Sequence, residues 1–293
     1  MSGYEQTAAL LKVVMSNLMS SDNAVRSQAE TVLNSEWRDV QPQTLLGSLA
    51  FLVHRDGEPQ ARAFAAVLLR RIAFQDVRAG GDNKEDERSV WSVVPQAVHQ
   101  AVKAELLGAL KDESDRGTRH KLCDTISEIT NNEGENEWPD LLPALYACAQ
   151  DGSSALRESA YRVFSSCPYL LAGQSVDAVN TAFSGALQDS DAGVRLAALQ
   201  AAVQYILAAT DKQRPTLAPM MPQMLGVLEP LQRAGDEAGL TEALAALIEP
   251  AEEAPKLFRA VLGSLVAFAT AIGKNDALEA TTRQTAMELL VTL

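Results

Sequence analysis

The sequence predicts an all-α protein, an α-solenoid of about seven helical hairpins forming a right-handed superhelical arc. Three observations predict it. A turn-plus-arginine pattern recurs along the chain, and Ala, Leu and Val supply most of the apolar residues. No stretch of alternating β-branched residues competes for strands. Of the 293 residues 47 % are hydrophobic but only 5 % aromatic; small and straight-chain side chains favour helices that approach closely.

The recurring pattern is a turn, then an Arg, then small or apolar residues three and four positions later. It occurs as DNAVRSQAE at Arg26, PQARAFAA at Arg62, GTRHKLC at Arg119, SALRESA at Arg157, DAGVRLAA at Arg195 and TTRQTAM at Arg283. Successive spacings are 36, 57, 38, 38 and 88 residues. The gap of 57 holds a charged insertion, Ala79–Arg88. The gap of 88 spans about two periods, with a degenerate copy near Gly235–Leu244. A period near 40 residues is that of a two-helix unit. The repeats are expected at about 1–38, 42–76, 89–132, 138–168, 175–210, 215–249 and 255–293.

In the first unit, helix A is expected at Glu5–Met19 with Leu10, Leu11, Val14 and Leu18 on one face. Ser21 and Asp22 can cap helix B, whose buried stripe is Ala29, Val32, Leu33 and Trp37. Later B helices are expected at Pro59–Asp76, Asp115–Asn131, Ser153–Cys167, Ala192–Ala209, Asp236–Ile248 and Glu279 onward. Pro42, Pro59 and Pro215 fall at helix starts, where a missing N–H costs little. The repeated Arg is expected to bond carbonyls and acids of the neighbouring unit as a ladder along the stack. The final helix, TRQTAMELLVTL, ends without a cap or polar tail. Terminal repeats need a polar outer face, so the last hairpin reads as truncated and the chain as part of a longer array.

Composition limits the function classes. The formal charge is −13, from 38 acidic and 25 basic residues. Such a surface repels phosphate backbones and attracts basic proteins. Cys123, Cys148 and Cys167 are widely spaced, without a CxxC pair, which speaks against disulfides and zinc. The first residues lack the pattern of a signal peptide, and the uncharged run Ala260–Gly273 is too short for a bilayer. GxxxxGK[ST], GxSxG and HExxH are absent. His120 and Cys123 could share a helix face, but two ligands make no zinc site. The acidic run Asn131–Glu137 reads as a solvated loop, because its Gly falls wrongly for an EF-hand. No catalytic residue, cofactor or metal is expected.

Particular segments then resemble a known family. SSDNAVRSQAETVLNSEW, AAVLLRRIAF and RHKLCDTISEI are similar to the first three HEAT repeats of importin-beta receptors. WPDLLPAL, LRESAYRVFSSCPYLL, LIEPAEEAPKLFRAVL and TRQTAMELLVTL point to the beta-3, importin-5-like subfamily of karyopherins. The resemblance covers essentially the whole chain and matches least at Ala79–Arg88 and Asp211–Leu231. It implies a monomeric nuclear import receptor that shuttles between cytoplasm and nucleus through the nuclear pore. Such receptors carry basic nuclear-localisation-signal cargo, release it when the small GTPase Ran binds in its GTP form, and touch Phe-Gly nucleoporins between outer A helices. The main cargo groove is expected beyond Leu293, with no direct contact to nucleic acid or membrane.

By the same resemblance, inner B helices of the first repeats grip Ran. Removing the core stripes leaves Glu30 and Asn34 on helix 1B, Arg70 and Phe74 on 2B, and Asp124, Glu128 and Asn131 on 3B as the expected contacts, with carboxylates opposite basic residues of the GTPase. The alternative is a generic HEAT-repeat scaffold with no GTPase partner. An enzyme would rest only on scattered Cys, His and acidic residues.

Overall fold

The computed structural model describes residues 3–77, 88–134 and 137–293. Within the charged insertion, Ala79–Glu87 lie outside the described residues, as do Glu135 and Asn136 of the acidic loop. The chain divides into two compact units, Met1–Ala144 and Leu145–Leu293.

The first unit contains α1 (Glu5–Leu18), α2 (Asn23–Val32), α3 (Pro42–Arg55), α4 (Pro59–Ala73), a single turn α5 (Val90–Val93), α6 (Gln96–Asp112), α7 (Arg116–Glu133) and the start of α8 (Leu141–Ala149). Helix α1 pairs with α2, α3 with α4, and α6 with α7. One layer is α1 on α3 on α6, and α4 lies on α7 in the other. The core between them includes Leu45, Leu49 and Leu52 of α3, Leu68, Leu69 and Ile72 of α4, and Leu122, Ile126 and Ile129 of α7. Each is worth roughly 1.5–3 kcal/mol of burial.

Three local readings need correction. On α1 the buried stripe is Ala8, Leu11 and Met15, while Leu10 is 64 % exposed; Leu10 sits about 100° round the helix from Leu11. Helix α2 gives way after Val32 to a π-helical turn, Leu33–Arg38, in which Asp39 N donates to the Asn34 carbonyl at 3.0 Å. The wider turn still buries Leu33 and Trp37 but leaves Val32 half-buried. Helix α4 stops at Ala73, not Asp76, where an isolated antiparallel bridge pairs Asp76 with Ser89. No strand occurs among the described residues.

The second unit holds most of α8, then α9 (Ser154–Ser166), α10 (Val176–Ala186), α11 (Ala192–Ala208), the short α12 (Arg214–Leu217), α13 (Met221–Leu225), α14 (Leu228–Ala234), α15 (Glu237–Ala246), α16 (Ile248–Glu253), α17 (Leu262–Gly273) and α18 (Ala280–Thr292). Helix α11 packs on α9 and α15, and α18 on α15 and α17. Pro215 opens only a four-residue helix. Pro219 and Pro222 follow at the starts of a 3₁₀ turn and of α13. Each lacks an N–H and excludes a continuous α-helical ladder through this arm.

The repeated Arg ties its own turn together and in some copies also reaches the next hairpin, whereas Arg283 Nη1 reaches the Asp276 carboxylate instead of a carbonyl. The Arg lies four residues after the N-cap of its helix in every copy, as in Asp22–Arg26, Glu58–Arg62, Ser153–Arg157 and Asp191–Arg195. From there Nη1 folds back onto a carbonyl of its own turn: Arg26 to Ser20 at 2.6 Å, Arg62 to Asp56 at 2.9 Å, Arg157 to Asp151 at 2.9 Å and Arg195 to Asp189 at 2.7 Å. The carbonyl therefore belongs to the same hairpin, not to the neighbour. For Arg62 and Arg157 the acid does come from the next hairpin. Arg62 donates Nε and Nη2 to Glu113 at 2.7 and 2.8 Å, and Arg157 binds Asp189 in the same two-pronged way at 2.7 and 2.9 Å.

Two-pronged charged bonds are stronger than neutral ones and fix orientation. The Glu113 carboxyl is pushed up by burial, but the Arg62 bonds and the Asp115 N–H outweigh that and hold it below the usual range. Arg157 holds Asp189 low through its hydrogen bonds, against the upward push of burial. Lowered carboxyls stabilise the fold above their unfolded pKa and lose that contribution as pH falls through the folded value. The chain should therefore melt earlier at about pH 4 and below than at pH 7. In Glu113→Gln that acid sensitivity should shrink, as read by circular dichroism melts across this range.

Asp22, Asp115, Asp191 and Asp236 cap α2, α7, α11 and α15 through side-chain oxygens. Among the first-layer helices, Gly108 lets α6 pass under the His54 ring of α3, where a Cβ would collide with it. That ring lies 2.6 Å from Glu105 and 2.9 Å from Asp112.

Candidate partner-binding site

Helices α2, α4 and α7 carry the seven residues expected to meet a GTPase. Glu30 and Asn34 are exposed one turn apart, the second already within the π turn, where Arg38 Nη1 donates to the Asn34 side-chain oxygen at 3.0 Å. Arg70 on α4 and Asp124 on α7 are brought together, Nη1 to Oδ2 at 3.4 Å, with 40 % and 32 % of their side chains exposed. Glu128 follows one turn beyond Asp124 and is exposed, accepting from Asn132 Nδ2 at 3.0 Å; Asn131 is exposed beside it.

Phe74 occupies the C-cap of α4 and is half-buried. Its ring centroid lies 5.9 Å from that of Trp91, tilted by 40°. Trp91 in turn stacks on His99 at 4.4 Å and donates Nε1 to Glu133 at 3.1 Å. Buried Lys103 binds Glu133 at 2.7 Å and the Glu137 carbonyl at 2.8 Å. This cluster fixes the end of α7 against α6, so the polar face of α7 is presented on a rigid base. The arrangement is suited to binding a protein surface: exposed carboxylates and amides on three helices, with one Arg already neutralising one of the acids.

Cys123, Cys148 and Cys167 are buried thiols without disulfides. Among the described residues no group of three or more His, Cys, Asp or Glu is placed to hold a metal ion, and no helix is long and apolar enough to cross a membrane.

The second unit offers two features that sequence reasoning missed. A cavity of about 660 Å³ is walled by Tyr146, Tyr161 and the small residues Ala178, Ala182 and Gly185. Tyr161 donates to the Ala182 carbonyl at 3.0 Å, and burial pushes its hydroxyl up to about 12. A separate polar groove of about 380 Å³ crosses α9, α11 and α15, with Arg162, Gln200 and Glu242 along it. Its sequence signal was the repeat register. Arg162 follows Asp124 by 38 residues, Gln200 follows Arg162 by 38, and Glu242 follows Gln200 by 42. The cavity had no such signal, because Ala and Gly look alike in every helix.

Comparison with known proteins adds the family. A family model described as "IPO5-like, TPR repeats" matches residues 114–268, more than half of the chain. Importin subunit beta-3 of Saccharomyces cerevisiae is 30 % identical over 289 residues, which are 98 % of this chain and 26 % of that protein. The crystal structure of Kap121p superposes with a TM-score of 0.82 at 28 % identity, covering 98 % of this chain and 26 % of that one. Kap121p bound to RanGTP gives a TM-score of 0.81 at 28 % identity with the same coverages. The chain thus spans about a quarter of the length of these relatives, and its helical hairpins are those of their HEAT-repeat fold. The chain belongs to the IPO5-like family of importin-beta karyopherins.

Proposed function

We propose that the chain acts by regulated protein binding, without catalysis, as part of a nuclear transport receptor. Its inner helices α2, α4 and α7 bind Ran in the GTP form through Glu30, Asn34, Arg70, Phe74, Asp124, Glu128 and Asn131. Basic nuclear-localisation-signal cargo and Phe-Gly nucleoporins are its other partners, and it shuttles between cytoplasm and nucleus. The division into seven hairpins over residues 1–293 belongs to the same reading. The observation that carries it is the likeness over 98 % of the chain to a receptor solved with RanGTP. It is joined by the polar, partly exposed residues that α2, α4 and α7 present. Immobilised chain should retain Ran loaded with a non-hydrolysable GTP analogue and not Ran-GDP. Equal retention of both, or of neither, favours the scaffold alternative.

A second reading rests on the Tyr146–Tyr161 cavity, whose aromatic and small-residue walls suit a phenylalanine ring and whose volume is ample for one. A Cβ at Gly185 would meet nothing within 4 Å, so a side chain there enters open space. Gly185→Leu should put a bulky side chain into the mouth of the cavity, weaken a Phe-Gly peptide at least tenfold by fluorescence anisotropy, and leave the melting temperature unchanged or higher, since Gly costs a helix about 1 kcal/mol relative to Ala. Unchanged peptide affinity would remove this cavity from the nucleoporin reading.

A further inference from the structure

On α6, Glu105, Gly108 and Asp112 lie at i, i+3 and i+7, which puts them on one face of the helix. That face meets the His54 ring of α3, with which a Cβ at position 108 would collide. The missing side chain is a notch for the imidazole, and one acid stands on each side of it. Glu105 Oε2 lies 2.6 Å from Nδ1, and Asp112 Oδ2 lies 2.9 Å from Nε2. The His54 side chain is only 6 % exposed, so the ring has little water to turn to.

A carboxylate accepts hydrogen bonds and donates none. A neutral imidazole has one N–H and satisfies one of the two acids. Its other nitrogen then presents a lone pair to the second carboxylate across a hydrogen-bond distance. The imidazolium has two N–H groups and satisfies both through charge-assisted bonds. The Asp112 carboxyl is held below its usual range, first by its bond to His54 and against the upward push of desolvation. His54 also stands in the last turn of α3, where a helix favours a cation.

The neighbouring cations are engaged elsewhere. Arg55 of α3 lies 3.6 Å from Glu105 but is 55 % exposed. Helix α1, packed on α3, offers Lys12, which binds Asp56 at 2.9 Å; α4 offers Arg62, which binds Glu113 at 2.7 Å. The π turn offers Arg38, bound to Asp39 at 2.7 Å. Lys111 of α6 acts on Asp112 less than His54 and Arg55 do.

We propose that His54 is a proton-operated fastener between successive hairpins: as imidazolium it ties α3 to α6 at two points, and on losing its proton it keeps one tie and repels the other acid. Histidine is the side chain whose ordinary charge change falls between about pH 5 and 8. Asp112 is 70 % exposed against 25 % for Glu105, so Asp112 is the acid that swings out to water. The next residue, Glu113, clamps Arg62 and ties the same two hairpins. Loss of the histidine proton therefore loosens the joint without opening it.

The test uses the 293-residue chain with 13C-labelled histidine, beside the double variant Glu105→Gln with Asp112→Asn. The His54 signal is the one missing from His54→Gln. In the unaltered chain its ring should still be cationic at pH 7.5, where a histidine in an unfolded chain, titrating near about 6.5, is mostly neutral. In the double variant the ring should be neutral at that pH. Asp112→Asn alone, at the more exposed position, should move the titration in the same direction. The folded ring keeps a proton that the unfolded ring gives up, so this contribution to stability is present at low pH and lost as pH rises. Between pH 6.5 and 8.5 the folding equilibrium constant of the unaltered chain, from urea titrations, should fall at least about threefold relative to the double variant. A neutral ring at pH 7.5 in the unaltered chain, a cationic ring in both chains, or parallel stability profiles overturns the proposal.

Discussion

The double substitution Asp124→Lys with Glu128→Lys should weaken Ran-GTP binding by about 2–4 kcal/mol, roughly 30- to 1,000-fold, the range for disrupted interfacial charge pairs. Both residues sit on α7 one turn apart, Glu128 exposed and Asp124 partly so. The reversal converts two acceptors into two cations at the centre of the proposed face. Asp124 also lies 3.4 Å from Arg70, so Lys at 124 adds a like-charge contact on the chain itself. The stability loss from that contact should be small, because exposed ion pairs contribute about 0–1 kcal/mol. Titration calorimetry at physiological salt checks the affinity, and a circular dichroism melt checks the fold. The neutral pair Asp124→Asn with Glu128→Gln should lose less, since it removes attraction without adding repulsion. If binding survives the reversal, Ran does not sit on α7.

Glu113→Ala should destabilise the fold by about 2–4 kcal/mol, the largest single effect expected on stability. The Glu113 side chain is 2 % exposed and that of Arg62 14 %. Removing the carboxylate strands a guanidinium that has lost two of its bonds, and breaking one partner of a buried pair costs far more than the pair contributes. It also frees the Asp115 N–H, which Glu113 accepts at 2.8 Å at the start of α7. The loss should appear as a lower urea midpoint with an unchanged slope. Replacing both Arg62 and Glu113 by Leu should recover much of it. A shift below 0.5 kcal/mol for Glu113→Ala would mean that the arginine clamp does not hold successive hairpins together.

The sequence made the architecture legible because a repeat announces itself several times. Asp22, Asp115 and Asp191 cap their helices where the turn pattern put them, and each Arg stands at a fixed offset from its cap. The direction of the clamp was not legible. The pattern identifies the Arg, but only the chain path shows that its carbonyl partner belongs to its own turn. Leu10 was misplaced because Leu10 and Leu11 compete for one stripe and periodicity alone does not choose between neighbours. The broken arm between Arg214 and Ala234 was signalled by Pro215, Pro219, Pro222 and Pro230, a density that a single helix start does not explain.

The candidate face was legible only in part. Subtracting the core stripe from α7 leaves Asp124, Glu128 and Asn131, of which Glu128 and Asn131 are exposed. The same subtraction on α4 does not reveal that Phe74 ends the helix and turns to Trp91, a residue 17 positions on and across the insertion. Nor does it reveal that Arg70 reaches Asp124, because that pairing depends on how α4 lies on α7. The groove of α9, α11 and α15 continues the register of Asp124. It escaped notice because an Arg, a Gln and a Glu at equivalent positions share no residue type.

Hydrogen–deuterium exchange with and without Ran bound to a non-hydrolysable GTP analogue reads directly whether Ran-GTP binds the α2, α4 and α7 faces. Exchange should slow in Asn23–Val32, Pro59–Ala73 and Arg116–Glu133 if Ran-GTP sits on these faces, with α1, α3 and α6 unchanged and no protection from Ran-GDP. Protection confined to α1, α3 and α6, or the same pattern with either nucleotide, would contradict it.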